Sequence, residues 1–292
     1  MMPQIEEGKT VEEFYWDYVR KMSPAERVRQ ATGLNVTICA MVKTQLCKKQ
    51  PPYNEITLKF AVAKRFYWND PKILAIFNEA EKNIMYKNET ESISMNDNIL
   101  MMDLDRTTEK VIIILEAIQH PFVITGGLTA ITYGDPRTTK DIDIVMEINP
   151  CEIDFANVLF EQFDKDFFFS LNGCREAIEK QTMFQAIDKE TMFKVDFQIS
   201  DLVPGLCARR KNVQILTGRV VPMVTPEDAI LSKLVWIKLG SNRSRKDIVA
   251  MLRVQTNLDY EYLEANAEKF GVMEILKELR IIADSYDPNV IL

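Results

Sequence analysis

The chain has 292 residues, of which 47% are hydrophobic and 27% charged, and its formal net charge is -7. This composition allows a sizeable hydrophobic core and excludes collagen-like and low-complexity proteins. No apolar run reaches the ~18 residues that span a bilayer, and the N-terminus lacks the basic and apolar regions of a signal peptide. The five cysteines form no Cys-x-x-Cys pair, and a single histidine excludes sites built on two histidines. We therefore expect a cytoplasmic protein without a membrane span, in which carboxylates carry much of any catalysis.

The first 118 residues have the pattern of a helical region. Capping residues and first-turn prolines predict where its helices begin. The helices expected are 10–21, one that begins at Ser23-Pro24, 54–66 and 72–85. The polar, Asn- and Ser-rich stretch 87–105 predicts a loop or linker, after which Thr107 or Thr108 opens a helix through Ala117.

From Pro121 the pattern changes to short strands and helices. Strands are predicted at 122–125, 142–148, 182–187, 192–199, 213–216 and 220–224, and helices at 128–133 and 154–163. Beyond Pro226 the periodicity predicts four more helices, 227–239, 244–255, 259–270 and 273–285. The expected fold class is therefore α/β (α+β): a small mixed-sheet core at 119–225, flanked by helical regions at 1–118 and 226–292. The last region is expected to complete the active-site cleft.

Asp141 and Asp143 stand two residues apart at the start of a predicted strand. Because side chains alternate along a strand, both carboxylates point to one face, and Ile142 and Ile144 point to the other. Two carboxylates on one face repel unless a cation lies between them, and their hard oxygens suit magnesium or manganese. An isolated Asp-x-Asp is more often a pair of solvent-facing acids on an edge strand. The residues around the motif therefore have to distinguish a metal site from such a pair.

The residues around Asp141 and Asp143 favour a site that binds a metal and phosphate. Gly126-Gly127 lies between a predicted strand and a helix, where bare backbone N–H groups and the helix dipole bind phosphate. Arg137 and Thr139 precede the acidic strand and can reach phosphate oxygens. On a later strand Asp196 alternates with apolar residues, and an acid in that position needs a partner. If the two strands are neighbours, three carboxylates converge, and one can accept the proton of an attacking hydroxyl.

A later helix places a lysine on an apolar face. Ile230 and Leu234 belong to the apolar stripe of the helix 227–239, and Lys233 lies on the same stripe. A lysine on a buried face needs an anion, which is either a protein carboxylate or a phosphate of a ligand. Asp247, on the inward face of the next helix, either orients Lys233 or forms a plain ion pair.

Together these motifs resemble the polymerase-beta-like nucleotidyltransferase superfamily. Its signature is a Gly-Gly or Gly-Ser pair that opens a short helix, an Asp-x-Asp strand and a third aspartate on a later strand. The blocks Pro-Glu-Asp-Ala-Ile-Leu-Ser-Lys-Leu at 226–234 and Arg-Ser-Arg-Lys-Asp-Ile at 243–248 look most like the toxin–antitoxin and abortive-infection (AbiE toxin-like) branch. The resemblance covers residues 120–255.

The resemblance implies an enzyme that transfers a nucleoside monophosphate from an NTP to an acceptor hydroxyl and releases pyrophosphate. Asp141, Asp143 and Asp196 would be catalytic and would hold Mg²⁺ or Mn²⁺, and Asp196 would also help to deprotonate the acceptor. The residues implied to bind the nucleotide or its phosphates are Gly126, Gly127, Arg137, Thr139, Lys233 and Asp247. A cognate antitoxin is the implied protein partner.

Two other function classes fit parts of the pattern. A metal-dependent glycosyltransferase that uses nucleotide sugars shares the Asp-x-Asp strand, but the Gly-Gly helix before it and Asp196 after it argue against this class. A nucleotide-binding or antitoxin-like module without turnover would keep the fold. The presence of all three carboxylates counts against such an inactive site.

The segment 205–254 carries ten basic and three acidic residues, a net charge of +7 in a chain of net charge -7. It is either a solvated basic face or the docking site of an anionic partner. The second interpretation predicts RNA, such as a tRNA end, as the acceptor. The residues expected to contact its phosphates are Arg209, Arg210, Lys211, Arg243, Arg245 and Lys246.

Overall fold

The computed structural model describes residues 10–49, 53–88, 102–200, 202–216 and 219–285, which form helices around one seven-stranded mixed sheet. The strands are β1 (Phe122–Thr125), β2 (Asp141–Met146), β3 (Phe167–Phe169), β4 (Met183–Asp188), β5 (Lys194–Gln198), β6 (Lys211–Leu216) and β7 (Arg219–Met223). Their order is β3-β4-β5-β2-β1-β7-β6, with β2 parallel to β5 and antiparallel to β1. The expected fold class, a mixed sheet with helical flanks, is confirmed.

Five of the described helices precede the sheet: α1 (Val11–Lys21), α2 (Pro24–Lys49), α3 (Glu55–Phe66), α4 (Pro71–Asn88) and α5 (Leu104–Ile118). Their beginnings follow the capping residues of the sequence. Thr10 forms a capping box with Glu13, and Asn54 accepts a hydrogen bond from the backbone of Thr57.

The other described helices are α6 (Gly126–Tyr133), α7 (Phe155–Phe163), α8 (Leu171–Lys180), α9 (Leu206–Arg209), α10 (Pro226–Lys238), α11 (Ser244–Val254), α12 (Tyr260–Lys269) and α13 (Met273–Ser285). Thr225 caps α10 through its hydroxyl, as the Thr-Pro pair predicts. None of the helices in the described ranges combines the length and the apolar sequence needed to cross a bilayer.

Helix α5 begins earlier than predicted, and three other elements are absent from the prediction. Helix α5 begins three residues before Thr107, because Asp103 provides its N-cap by accepting from the backbone of Arg106. Strand β3 and the helices α8 and α9 are missing from the prediction; β3 has three residues and α9 four, too few to show a period. Most of the predicted linker 87–105, together with the turn Thr217-Gly218, lies outside the described residues.

The sheet separates two hydrophobic clusters. On one face Ile144 and Phe197 pack with the N-terminal helices, in a cluster that includes Phe77 of α4. On the other face Val145 packs with the C-terminal helices, for example with Leu234 of α10. Each cluster crosses one of the boundaries expected at 118 and 225, so both helical regions bury their apolar faces against the same sheet. The division of the chain into regions 1–118, 119–225 and 226–292 stays a prediction.

Candidate active site

A cleft of about 210 Å³ lies between the sheet and the C-terminal helices. Its walls come from β2, the first turn of α6, and the helices α10 and α11. Eight of the nine residues predicted for the site line it; the list is Gly126, Gly127, Arg137, Thr139, Asp141, Asp143, Lys233 and Asp247. The ninth, Asp196, lies on β5 beside the cleft.

The acidic pair lies in the middle of the sheet. Strand β2 runs between β1 and β5, which excludes the interpretation of Asp141 and Asp143 as acids on an edge strand. The parallel register pairs Asp143 with Asp196 and Asp141 with Lys194. Because register partners project to the same face, three carboxylates share one patch of the sheet. The two strands are neighbours, which is the condition under which the sequence predicts this convergence.

The glycine pair is required by close approach of the acidic strand. Gly126 has φ +65°, and a Cβ there would lie 1.8 Å from Asp143 Oδ2. A Cβ on Gly127 would lie 2.5 Å from Thr139 Oγ1. The Gly127 N–H instead donates to Asp143 Oδ2 over 3.1 Å, and the Thr139 hydroxyl donates to Asp141 Oδ1 over 3.1 Å. The first turn of α6 and the acidic strand thus form one hydrogen-bonded unit.

Asp143 is the carboxyl of this group whose pKa is raised furthest. Burial raises its pKa to about 7, and the charges of Asp141 and Asp196 add to the effect. The Gly127 N–H and the charge of Lys233 act in the opposite direction. A carboxyl group whose pKa lies near 7 is typical of functional sites. Carboxylates with a structural role are usually paired with cations or hydrogen-bond donors that keep them ionised.

Asp196 has the partner that its position in an apolar strand demands. Lys194 Nζ lies 2.6 Å from Asp196 Oδ2 and 3.6 Å from Asp141 Oδ2. Gln185, the neighbour of Asp196 on β4, donates to Asp196 Oδ1 over 3.0 Å. Both oxygens of Asp196 are therefore engaged. Sequence reasoning missed Lys194, although a lysine two residues before an aspartate in a strand must share its face.

On the opposite wall Asp247 joins two of the predicted phosphate contacts. Lys233 Nζ lies 2.7 Å from Asp247 Oδ2, and Arg137 binds both oxygens of Asp247 over 2.7 and 2.8 Å. Burial raises the pKa of Asp247, but the charges and hydrogen bonds of these two partners lower it more, so it lies below its usual range. Of the two roles left open for Asp247, both are compatible with this ion-paired arrangement.

A divalent metal such as Mg²⁺ requires several oxygen ligands directed at one point. Asp141 and Asp143 offer oxygen ligands on one face beside the cleft, which suits Mg²⁺ or Mn²⁺. Asp196 is held by Lys194 and Gln185, and among the described residues no group of three or more His, Cys, Asp and Glu side chains is arranged to hold a metal. Two of the three predicted ligands therefore fit directly, and the third requires Lys194 to move.

Ser232 and Trp236 of α10, which sequence reasoning did not assign, line the cleft beside Ala229. Trp236 lies one turn after Lys233 and is 43% exposed. Ser232 is buried, and its hydroxyl is the one buried side-chain polar atom in the described ranges without a hydrogen-bond partner. Helical spacing from Lys233 is a signal that could have identified Trp236.

Much of the basic segment 205–254 is neutralised by acids. Arg209 binds both oxygens of Asp228 over 3.0 Å, and Arg245 pairs with Glu278. Five of its ten bases form such pairs within the described residues, namely Arg209, Arg219, Lys233, Arg245 and Arg253. Of the residues expected to contact RNA, four are exposed: Arg210, Lys211, Arg243 and Lys246. The positive surface is therefore smaller than the sequence count suggests.

No family model matches the chain, and no curated protein matches it. Two solved structures are similar over most of their own length. An antigenic nucleotidyltransferase-like protein from Paracoccidioides brasiliensis is 20% identical with a TM-score of 0.47, over 64% of this chain and 93% of that one. The antibiotic-resistance factor ANT(2'')-Ia is 16% identical with a TM-score of 0.40, over 60% and 97%. Likeness at this distance carries no functional argument, which must come from the site itself.

Proposed function

We propose that this chain is a nucleotidyltransferase that moves a nucleoside monophosphate from an NTP to an acceptor hydroxyl and releases pyrophosphate. The observation that carries the proposal is the register of β2 and β5. It brings Asp141, Asp143 and Asp196 to one face, beside the first turn of α6 and opposite Lys233. Phosphoryl transfer needs this combination of an acidic centre with donors for phosphate oxygens.

The cleft has groups for each part of a nucleotide. Asp141 and Asp143 would hold Mg²⁺ or Mn²⁺, with Asp196 as the third ligand; the bound ion supplies positive charge that neutralises the triphosphate. Lys233 and Arg137 would bind phosphate oxygens by exchanging part of their contact with Asp247. Trp236 offers an exposed ring on which a nucleobase can stack.

The reaction balances with the residues at hand. The acceptor oxygen forms a bond to the α-phosphorus, and the bond from that phosphorus to the bridging oxygen of the β-phosphate breaks. Asp196, once one of its oxygens is released by Lys194, accepts the proton of the acceptor hydroxyl, and the electron pair of the broken bond leaves with pyrophosphate. The protein itself contributes mainly positioning and charge compensation.

The test measures pyrophosphate release and transfer of α-labelled NTPs into a cell extract. We expect Asp141→Asn to abolish both while leaving the thermal midpoint close to that of the wild type. Asp154→Asn is the matched control, because Asp154 is exposed and makes no capping hydrogen bond. It should release pyrophosphate at the wild-type rate.

Each other function class predicts a different outcome. Consumption of a UDP-sugar in place of NTP would identify a glycosyltransferase. Tight NTP binding without turnover would identify a non-catalytic module. Full activity of Asp141→Asn would overturn the proposed role of the acidic strand.

The acceptor and the cellular role are further parts of the proposal. Arg210 and Lys211, exposed and without an acidic partner among the described residues, would bind phosphates of an RNA acceptor such as a tRNA end. Their double replacement by Glu should lower RNA labelling and leave NTP binding unchanged.

A toxin role with a cognate antitoxin predicts that expression of the wild-type protein arrests growth and that expression of Asp141→Asn does not. Normal growth with the active protein would contradict this role.

A further inference from the structure

We propose that Lys194 is a built-in counter-cation of the acidic cluster, which competes with the divalent ion for Asp141 and Asp196. This inference rests on the proposed function only in taking a divalent ion as a ligand of the cluster. The carrying observation is the position of one ammonium group within 4 Å of both carboxylates, at 2.6 Å from Asp196 and 3.6 Å from Asp141.

The strand register produces this contact. Lys194 and Asp196 are two residues apart on β5, so they project to the same face. Asp141 is the register partner of Lys194 on the parallel strand β2. The ammonium group therefore lies beside both carboxylates, and its side chain is only 10% exposed.

A tyrosine from the N-terminal helices fixes the backbone at this point. The Tyr67 hydroxyl donates to the carbonyl of Lys140 and accepts from the N–H of Lys194, over 2.7 and 3.1 Å. Lys140 directly precedes β2, and Lys194 is the first residue of β5. Tyr67 is buried and its two hydrogen bonds tie these strand ends together, so we expect Lys194 to leave the cluster by rotation of its side chain.

The electrostatics explain why a cation is needed there. Three carboxylates share the face, and Lys233, whose charge also acts on Asp143, is already paired with Asp247. Without Lys194, Asp196 would be a nearly buried carboxylate with Gln185 as its remaining hydrogen-bond donor. Lys194 therefore supplies the charge compensation that a bound divalent ion would otherwise supply, and binding of the ion must displace it from at least one carboxylate.

The experiment measures Mn²⁺ affinity of the full chain without nucleotide, by calorimetry or by electron paramagnetic resonance. Lys194→Gln removes the charge and keeps a hydrogen-bond donor for Asp196. We expect it to bind Mn²⁺ about tenfold or more tightly than the wild type, since a unit charge within ~4 Å of the site is removed. Lys194→Arg, which keeps the charge, should bind Mn²⁺ with nearly wild-type affinity.

Lys110→Gln is the matched control. Lys110 forms another lysine–aspartate contact with the same sheet, 3.0 Å from the buried Asp188 of β4 and away from the cleft. It should lose stability without any change in Mn²⁺ affinity. Mn²⁺ affinity that is unchanged or weaker in Lys194→Gln, or equally increased in Lys110→Gln, would overturn the inference.

A second measurement needs no variant. Addition of Mn²⁺ to the wild-type protein should increase labelling of Lys194 by an amine-reactive reagent, read by peptide mass spectrometry, because the ammonium group is released. Unchanged or lower labelling would count against displacement.

Tighter Mn²⁺ binding by Lys194→Gln in a protein that consumes no NTP would refute the proposed function alone. NTP turnover with unaltered Mn²⁺ affinity would refute this inference alone.

Discussion

The two faces of strand β5 differ in chemical character: one is apolar and the other is charged. Val195 and Phe197 point to the N-terminal helices and lie in an apolar cluster, in which Phe197 stacks on Phe184 with ring centroids 4.8 Å apart. Lys194 and Asp196 point to the other face and form an ion pair of 2.6 Å. Alternation along five residues thus divides the strand between a packed core and a charged site.

The difference between the faces separates stability from function. The apolar face stabilises the fold through burial, which is favourable in proportion to the area removed from water. On the charged face, burial and then the repulsion of neighbouring carboxylates raise the pKa of Asp143, and such an arrangement costs stability until a ligand compensates it. Replacements on the apolar face should therefore lower stability, and replacements on the charged face should mainly lower activity.

The largest loss of stability is expected on the apolar face. Phe197→Ala should lower the free energy of unfolding by about 3–5 kcal/mol, because it removes a buried ring that contacts Phe163 and Phe184 and leaves a cavity. Urea denaturation measures the change. Asp196→Asn, at the adjacent position, is the comparison and should abolish transfer at a much smaller cost in stability. A larger loss for Asp196→Asn than for Phe197→Ala would break the distinction.

An intermediate effect is expected at the ion-paired wall of the cleft. Asp247→Asn should lower stability by about 1.5–3 kcal/mol at neutral pH, since charge-assisted bonds to Lys233 and Arg137 are weakened. The folded-state pKa of Asp247 is lowered, so its contribution is present above the unfolded value near ~3.9 and is lost as pH falls through the folded value. Denaturation at pH 7 and at pH 3 should show a smaller difference between variant and wild type in acid. An equal difference at both values would contradict the ion-pair account.

The smallest expected effect is an increase in stability. Asp143→Asn should stabilise the protein in EDTA at pH 8, by at least ~1 kcal/mol, because one unit of pKa shift corresponds to about 1.4 kcal/mol. The folded-state pKa is raised to about 7, so the penalty grows as pH rises from the unfolded value and is complete above 7. The gain should therefore be smaller at pH 5. Ser170→Ala, which removes the cap of α8 outside the cleft, provides a control whose effect should be the same at both pH values.

The sequence predicted residues that line the cleft better than it predicted their partners. Alternation along β2 and β5 is a local property, so Asp141, Asp143 and Asp196 could each be assigned to a face before the structure was known. That Asp196 is held by Lys194 and Gln185 depends on the register of three strands, which local patterns do not specify. The same limit applies to Arg209, whose partner Asp228 is nineteen residues away on another helix.

Local composition by itself determined the helix beginnings at Thr10, Asn54 and Thr225 and the mixed class of the fold, because caps and hydrophobic periodicity act over a few residues. Only the tertiary structure decided that α10 and α11 cover the acidic face and that Tyr67 ties β2 to β5. It also decided that half of the bases in 205–254 are paired with acids. The physical reason is that charge in a folded chain is compensated across space, between residues whose separation along the sequence carries no information about their distance.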